Sequence, residues 1–183
     1  MKKIWILVAF LMSYVMYGQD KFLTKSGSLV FEASVPSFEE VKAKNESTTA
    51  ILNLENGEIA ALALVKGFRF KNALMEEHFN ENYAESELFP KATFNGVINN
   101  FSEIDIDDAK KSKIHIDGVL QFHGQEKKIL IKDSDISKSG DVIVIQGEFY
   151  VQASDFKIEI PKIVSNKLSN DVLVSFAFSL NKK

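Results

Sequence analysis

The chain has 183 residues, a formal net charge of −3 and no cysteine, a length that suits one domain with a sizeable core. Without cysteine there are no disulfides and no thiol catalysis, and a mildly acidic balance with no long basic tract gives no footing for nucleic acid. Gly-rich phosphate loops, EF-hand loops and a G-x-S-x-G elbow are also missing from the sequence.

Residues 1–18 differ in kind from the remainder of the chain. Lys2 and Lys3 make a positive start, Ile4 to Met12 are apolar, and Gly18 ends the run before Gln19 and Asp20. That is the three-part plan of a secretory signal peptide; the competing reading is an uncleaved membrane anchor. The apolar run is near the lower limit of about 17–25 residues for a spanning helix and is broken by Ser13, which favours cleavage. No Cys follows it, which excludes a bacterial lipobox. The expected mature domain, residues 19–183, has 20 basic against 25 acidic side chains. It has no membrane span and is exported to a bacterial periplasm or secreted.

In the mature chain, Lys21–Lys25 and Ser28–Val35 read as strands flanking a hairpin-like break at Ser26-Gly27, with Leu29, Phe31, Ala33 and Val35 on one face. Pro36-Ser37 starts a short helix, in which Ser37 and Glu40 form a capping box. Asn45–Thr49 is polar and predicted to loop. Thr49–Leu54 and Glu58–Lys71 are strands joined by Glu55-Asn56-Gly57, where Asn-Gly supplies the positive φ angles of a tight turn. In the second, Leu62, Leu64, Phe68 and Phe70 share a face, and Lys66 in the same register points to a bulge near Gly67.

Asn72–Phe94 interrupts the strands with an amphipathic, helix-like run that reads as a lid beside the mouth of a sheet. Lys91–Phe101 alternates again, with Ala92, Phe94, Gly96 and Ile98 on one side. Asp105–Lys113 is a charged, solvated connection. In Lys113–Phe122, Ile114, Ile116, Gly118, Leu120 and Phe122 lie on one side and His115 on the other. His123-Gly124-Gln125-Glu126 turns the chain into a strand over Lys127–Lys132, and a Lys138–Asp141 turn leads to Val142–Ala153. Phe156–Ile160 is a short strand or an extended piece ended by Pro161, Lys162–Asn170 a linker with room for a helical turn, and Asp171–Leu180 a strand carrying Val172, Val174, Phe176, Phe178 and Leu180 on one face.

About eight or nine strands joined by hairpins, each with one apolar face, predict an antiparallel sandwich or closed barrel. Of 15 Phe, many fall on the inward face: Phe31, Phe68, Phe70, Phe94, Phe122, Phe149, Phe176 and Phe178. Gly96, Gly118 and Gly147 share that face in mid-strand, where glycine marks a bend or a close approach. The pattern allows a core filled by side chains or a barrel that holds one small ligand.

Catalytic chemistry is thin. His78 and Glu81, at i and i+3, are a spacing that can share a metal, but structural zinc needs about four ligands and catalytic zinc about three from protein; the pair reads instead as part of a polar helix face. Glu77, Glu81 and Glu85 would form a solvated acidic stripe if the helix ran that far. His123 either caps backbone carbonyls in its turn or meets a ligand head group. The residues by themselves describe a non-enzymatic β-barrel, with or without an apolar pocket.

Three blocks add a resemblance. Leu74-Met75-Glu76-Glu77-His78-Phe79-Asn80-Glu81-Asn82-Tyr83 leads to Phe89-Pro90-Lys91-Ala92-Thr93-Phe94; Gly118-Val119-Leu120-Gln121-Phe122-His123-Gly124 leads to Lys127-Lys128; and Ala153-Ser154-Asp155-Phe156-Lys157-Ile158 comes last. Together they resemble the YceI-like family of exported lipid-binding proteins, with its Y-P-x-x-x-F passage, G-x-L-x-x-H-G-x-x-K strand-turn and late R-S-D-F-G-I passage. Ala153 and Lys157 replace the usual Arg and Gly of that late passage, and Val65–Phe70 departs from the family's S-I-D-T strand. The similarity runs from Phe22 to Leu180.

The resemblance implies a mostly β fold: an extended eight-stranded antiparallel lipocalin-like barrel with short helical lid segments. Its interior would take a polyisoprenoid, a quinone or a fatty-acyl-like chain. The Phe residues named above would line that interior. Leu74, Met75 and Phe79 would pack down over it from the lid, with His78, Asn82, Tyr83 and His123 at the rim. No cofactor or metal is expected beyond the lipid ligand, and the protein would be a monomer or homodimer. The rival from another class is an envelope interaction protein with a side-chain-filled barrel. A third option, a hydrolase of the bound lipid, would have to draw on the His78 and Glu81 neighbourhood.

Overall fold

The computed structural model describes residues 21–36, 38–106 and 111–183. The expected signal peptide and Ser37 lie outside these residues, as does the middle of the Asp105–Lys113 connection. The strands are β1 (Lys21–Ser34), β2 (Lys42–Asn53), β3 (Glu58–Leu64), β4 (Arg69–Phe70), β5 (Lys91–Ile98), β6 (Ser112–Phe122), β7 (Gln125–Ser139), β8 (Val142–Gln152) and β9 (Leu168–Lys182). A single short α-helix, α1 (Ala73–His78), stands between β4 and β5 among the described residues. β1 hydrogen-bonds β2 on one edge and β9 on the other, so the order β1-β9-β8-β7-β6-β5-β3-β2 returns to β1 with every pair antiparallel. The result is a closed eight-stranded barrel, with β4 a two-residue addition to β2.

Strand direction sorts the connections into two ends. The β2–β3, β5–β6 and β7–β8 connections lie at one, and the β1–β2, β3–β5, β6–β7 and β8–β9 connections at the other. The first is packed. Leu52, Ile98, Ile114, Ile136, Ile143 and Leu180 are fully enclosed there, and Leu54, Phe101, Ile104 and Ile106 fold in from the connections against them. Each such side chain removed from water contributes about 1.5–3 kcal/mol, and β-branched Ile suits the pleated wall. The second end carries the helix and is the lid end.

The alternation predicted for β5, β6, β8 and β9 is the one observed. Ile98, Ile114, Ile116, Ile143, Ile145, Phe176, Phe178 and Leu180 are buried in the interior, while His115 and Asp117 face outward. The mid-strand glycines are close approaches. Gly96 and Gly118 pair across β5 and β6, and the Phe94 ring lies over both. A Cβ on Gly96 would meet Phe94 Cζ at 2.8 Å and Asp117 O at 2.6 Å.

Several local expectations fail. Ser26-Gly27 is not a hairpin but a bulge inside one continuous β1, with register shifts on either side of Gly27. No helix follows Pro36: residues 38–41 are non-helical, and Ala33 N–H donates to Val41 O at 2.9 Å across a turn into β2. Asn45–Thr49 is strand, not loop, and its buried Asn45 finds partners. Asn45 is wholly buried, donates Nδ2 to Leu64 O at 3.0 Å and accepts from Ser47 N at 2.8 Å. In the β2–β3 turn only Gly57 has positive φ (+73°), and its N–H reaches back to Asn53 O at 2.9 Å. The β7 strand continues past Lys132 to Ser139.

The predicted Glu58–Lys71 strand is the largest error. β3 stops at Leu64, a 3₁₀ turn over Val65–Gly67 follows, and β4 resumes. That turn resets the register, so Ile59, Ala63 and Val65 are buried while Leu64 is exposed, and Phe68 nevertheless returns to the interior. Lys66 points out and pairs with Glu87. Phe156–Ile160 is likewise not a strand: Ala153–Phe156 is a 3₁₀ turn ended by Lys157 at φ +57°. A side-chain-bearing residue in that left-handed region costs roughly 1–2 kcal/mol, partly offset by the extra chain entropy a glycine loses on folding. Lys157→Gly is therefore expected to raise stability by about 0.5–1 kcal/mol, read as a higher midpoint in thermal unfolding.

Candidate functional site

The lid end is not filled. Between the packed interior and the connections of this end lies a cavity of about 370 Å³, within the range of about 300–1,000 Å³ usual for small-molecule sites. Its wall is almost wholly apolar. Polar groups enter it only from Thr48, His78, Tyr83, Thr93, Lys167 and Ser169, and Lys167 is the one formal charge among them. Thr48 Oγ1 is buried without a hydrogen-bond partner. The barrel is thus solid at one end and hollow at the other.

The aromatic wall has two parts. Under the lid, Phe31, Phe68, Phe70 and Phe79 form one cluster, with Phe79 at centroid distances of 5.1 Å from Phe31, 6.0 Å from Phe68 and 5.3 Å from Phe70. The contacts are tilted or edge-on, geometries preferred by ring quadrupoles. On the adjoining strands β8 and β9, Phe149, Phe176 and Phe178 form a second row, spaced 6.4 Å and 5.3 Å.

The lid is built by short-range hydrogen bonds. Asn72 caps α1, its Oδ1 accepting from Leu74 N–H at 2.9 Å, a preferred N-cap arrangement. Glu76 ties the helix back to β4 by accepting from Arg69 Nη1 at 2.9 Å and Phe70 N–H at 3.1 Å. After His78 the turn widens over Phe79–Tyr83, where Ala84 N–H bonds to Phe79 O five residues back at 2.8 Å. Such a wide turn is a recurrent feature of functional sites; here it aims Phe79 inward.

Of the residues expected to meet a ligand, Phe31, Phe68, Phe70, Met75, His78, Phe79, Tyr83, Phe94, Phe122, Phe149, Phe176 and Phe178 line the cavity, and Leu74, Asn82 and His123 do not. Leu74 and Asn82 are exposed: the six-residue helix turns Met75 and His78 to the cavity, and the wide turn after it Phe79 and Tyr83. Sequence reasoning missed one whole wall. Phe156, Ile158, Ile160, Val164, Lys167 and Ser169, from the β8–β9 connection and the start of β9, also face the cavity. The spacing of Phe156, Ile158 and Ile160 was the available signal, though it reflects an extended segment rather than a strand.

His123 serves a different purpose. It sits with Gly124 in a two-residue turn in which both have positive φ, +47° and +68°, the type I′ geometry that matches strand twist. Its side chain is only 11% exposed, with Nε2 2.7 Å from Glu85 Oε2 and Nδ1 2.8 Å from Phe156 O. Phe89 packs edge-on against the ring at 4.7 Å. A carboxylate and a carbonyl both accept, so both contacts are hydrogen bonds only when an extra proton resides on the ring or the carboxyl. His123 thereby ties the lid connection to the β8–β9 connection across the barrel rim. Glu85 leaves the expected acidic stripe to do this, at φ +43°. Lys127 Nζ to Asp155 Oδ1 (2.6 Å) and Ser154 N–H to Asn170 Oδ1 (3.0 Å) anchor the same connection.

A family model described as the YceI-like domain matches residues 21–180. No curated protein matches the chain in sequence. Among solved structures, a polyisoprenoid binding domain from Saccharophagus degradans, described as implicated in plant cell wall breakdown, superposes with a TM-score of 0.76 at 13% identity, covering 90% of this chain and 99% of that one. BcnA from Burkholderia cenocepacia gives 0.65 at 13% identity, covering 85% and 96%. A YceI protein from Campylobacter jejuni gives 0.61 at 17% identity, covering 81% and 89%. At these identities the likeness is one of fold.

Removing the tie at His123 leaves the buried Phe156 carbonyl and the Glu85 carboxylate without their partner. His123→Ala is expected to cost about 1–3 kcal/mol and to raise amide hydrogen exchange in both residues 84–89 and 153–158. Faster exchange in one segment alone would mean that His123 does not couple the two.

Proposed function

Because this chain belongs to the YceI-like family, we propose that it is an exported, non-enzymatic protein that sequesters or carries a long apolar lipid, a polyisoprenoid, quinone or fatty-acyl-like chain, inside the lid end of its barrel. The observation that carries this reading is the cavity itself, enclosed by Phe rings from six strands and the lid and nearly free of polar groups. An apolar chain laid in such a space gains about 25 cal/mol for each Å² removed from water, so affinity would come from length and shape. His78, Tyr83, Lys167 and Ser169, at or near the lid-end connections, are the candidates for holding a polar head group. Export rests on the charged, apolar and small-residue plan of residues 1–18. Release would follow movement of the lid, with no bond made or broken.

Native purification followed by solvent extraction and mass spectrometry is expected to recover a stoichiometric lipid with a long apolar chain, and the emptied protein should bind a fluorescent isoprenoid saturably. Absence of both a co-purifying lipid and saturable binding would sink the reading. Ala61, on β3 between Ala50 and Phe94, lines the cavity. Ala61→Phe should fill the space and weaken probe binding at least ~10-fold, a loss of about 1.4 kcal/mol, with the strand content by circular dichroism unchanged.

A further inference from the structure

The two ends of the barrel treat their apolar residues in opposite ways. At the packed end, the large apolar side chains of the connections, Leu54, Phe101, Ile104 and Ile106, turn inward against the core. At the lid end, beside the side chains that turn in to line the cavity, a second set turns outward. Phe38 in the β1–β2 connection, Leu64 at the end of β3, Leu74 on α1, Leu88 before β5, Tyr150 near the end of β8 and Ile163 in the β8–β9 connection are all exposed. Ile163 is 86% and Leu88 70% exposed, values that no packing within the chain explains. Among the described residues, the other exposed large apolar side chains are Leu130, within β7, and Val97, beside the packed end of β5 and only 38% exposed.

Single exposed apolar residues need no explanation, but a set gathered at one end marks an interaction surface. Here the set comes from separate connections surrounding the end that holds the cavity. We propose that this rim docks the barrel, lid end down, on the surface of a lipid bilayer. The proposal rests on the carrier reading for its choice of partner: a long apolar chain has negligible solubility as a free molecule, so a protein that takes one up must meet it in a membrane. Aliphatic and aromatic side chains that enter the headgroup boundary from a rigid scaffold are the physical basis of monotopic binding. Charges of both signs, Lys71, Lys91, Lys162 and Lys167 with Glu39, Glu77, Glu81 and Glu159, are exposed at the same end, so no net field favours anionic lipid. Docking is therefore apolar in origin and only weakly dependent on salt.

The test uses the mature protein with sedimenting vesicles, either pure phosphatidylcholine or phosphatidylcholine with phosphatidylglycerol. The variant F38S/L88S/I163S changes three exposed side chains that do not line the cavity; Leu130→Ser, on the outer wall of β7, is the control. The parent protein and the control should bind both vesicle types to a similar extent at low and high salt, and the triple variant should bind at least ~10-fold less. The triple variant should also extract a fluorescent isoprenoid from vesicles more slowly, with equilibrium binding of the same probe from detergent unchanged. Absence of vesicle binding by the parent, or equal binding by the triple variant, would overturn the docking surface. So would a parent dimer in sedimentation velocity that the triple substitution dissolves without vesicle binding, since the rim would then cover a second copy of the chain. If the parent binds vesicles but no probe in detergent, the docking surface stands and the carrier reading falls.

Discussion

Closure of the sheet through β1 is the constraint on which the rest of the molecule depends. β1 is fourteen residues long and bonded on both edges, so no strand of the ring is left with an open edge and every inward side chain enters one lumen. The bulge at Gly27 lets one strand serve two partners with different registers. A Cβ there would collide with the Phe178 ring at 2.6 Å and Thr48 O at 2.9 Å. Glycine at this position therefore brings β1, β2 and β9 close together at the seam.

Once the ring is closed, side-chain size decides what the lumen becomes. Near the packed end, branched aliphatic side chains from facing strands meet and exclude space. Toward the lid end the wall sets small residues among its Phe rings, Ala61 and Ala63 on β3 and Ala92 on β5, and in mid-barrel the Phe94 ring lies over Gly96 and Gly118. Flat rings laid over glycine leave room that branched side chains would occupy, and the helix with its wide turn covers that room instead of filling it. The His123 tie then connects the two flanking connections to each other through a single imidazole. Outward-facing apolar residues occur around that same end, so cavity, lid and rim belong to one region of the barrel.

Much of this is legible along the chain. Period-two alternation locates β5, β6, β8 and β9 with their inward faces, and the inward Phe residues it selects are the ones that line the cavity. Failures cluster where the backbone leaves regular geometry. Leu62 and Leu64 look like an inward pair, and Lys66 in their register marks a break near Gly67, but hydropathy does not show that the break is a 3₁₀ turn over Val65–Gly67 with Leu64 left exposed before it. Asn45 looks like a loop residue because a buried polar side chain is recognisable only when its partners, here Leu64 O and Ser47 N–H, are known. His123 reads in sequence as a turn residue that either caps backbone carbonyls or meets a ligand head group. It does bond a carbonyl, but that of Phe156, 33 positions away, and its other bond goes to Glu85, 38 positions away.

The sequence by itself determined the antiparallel β class, the faces that β5, β6, β8 and β9 bury and the aromatic character of the interior, because these follow from alternation and residue size within a few neighbouring positions. It also carried the family resemblance, through three short blocks in a fixed order. Only the tertiary structure decided that the barrel is hollow at one end, that the β8–β9 connection forms part of the cavity wall, and that Leu74 faces water while Phe79 faces the lumen. Those outcomes depend on closure through β1 and on contacts between segments far apart in the chain, where the separation of two side chains is set by the whole ring and by no local pattern.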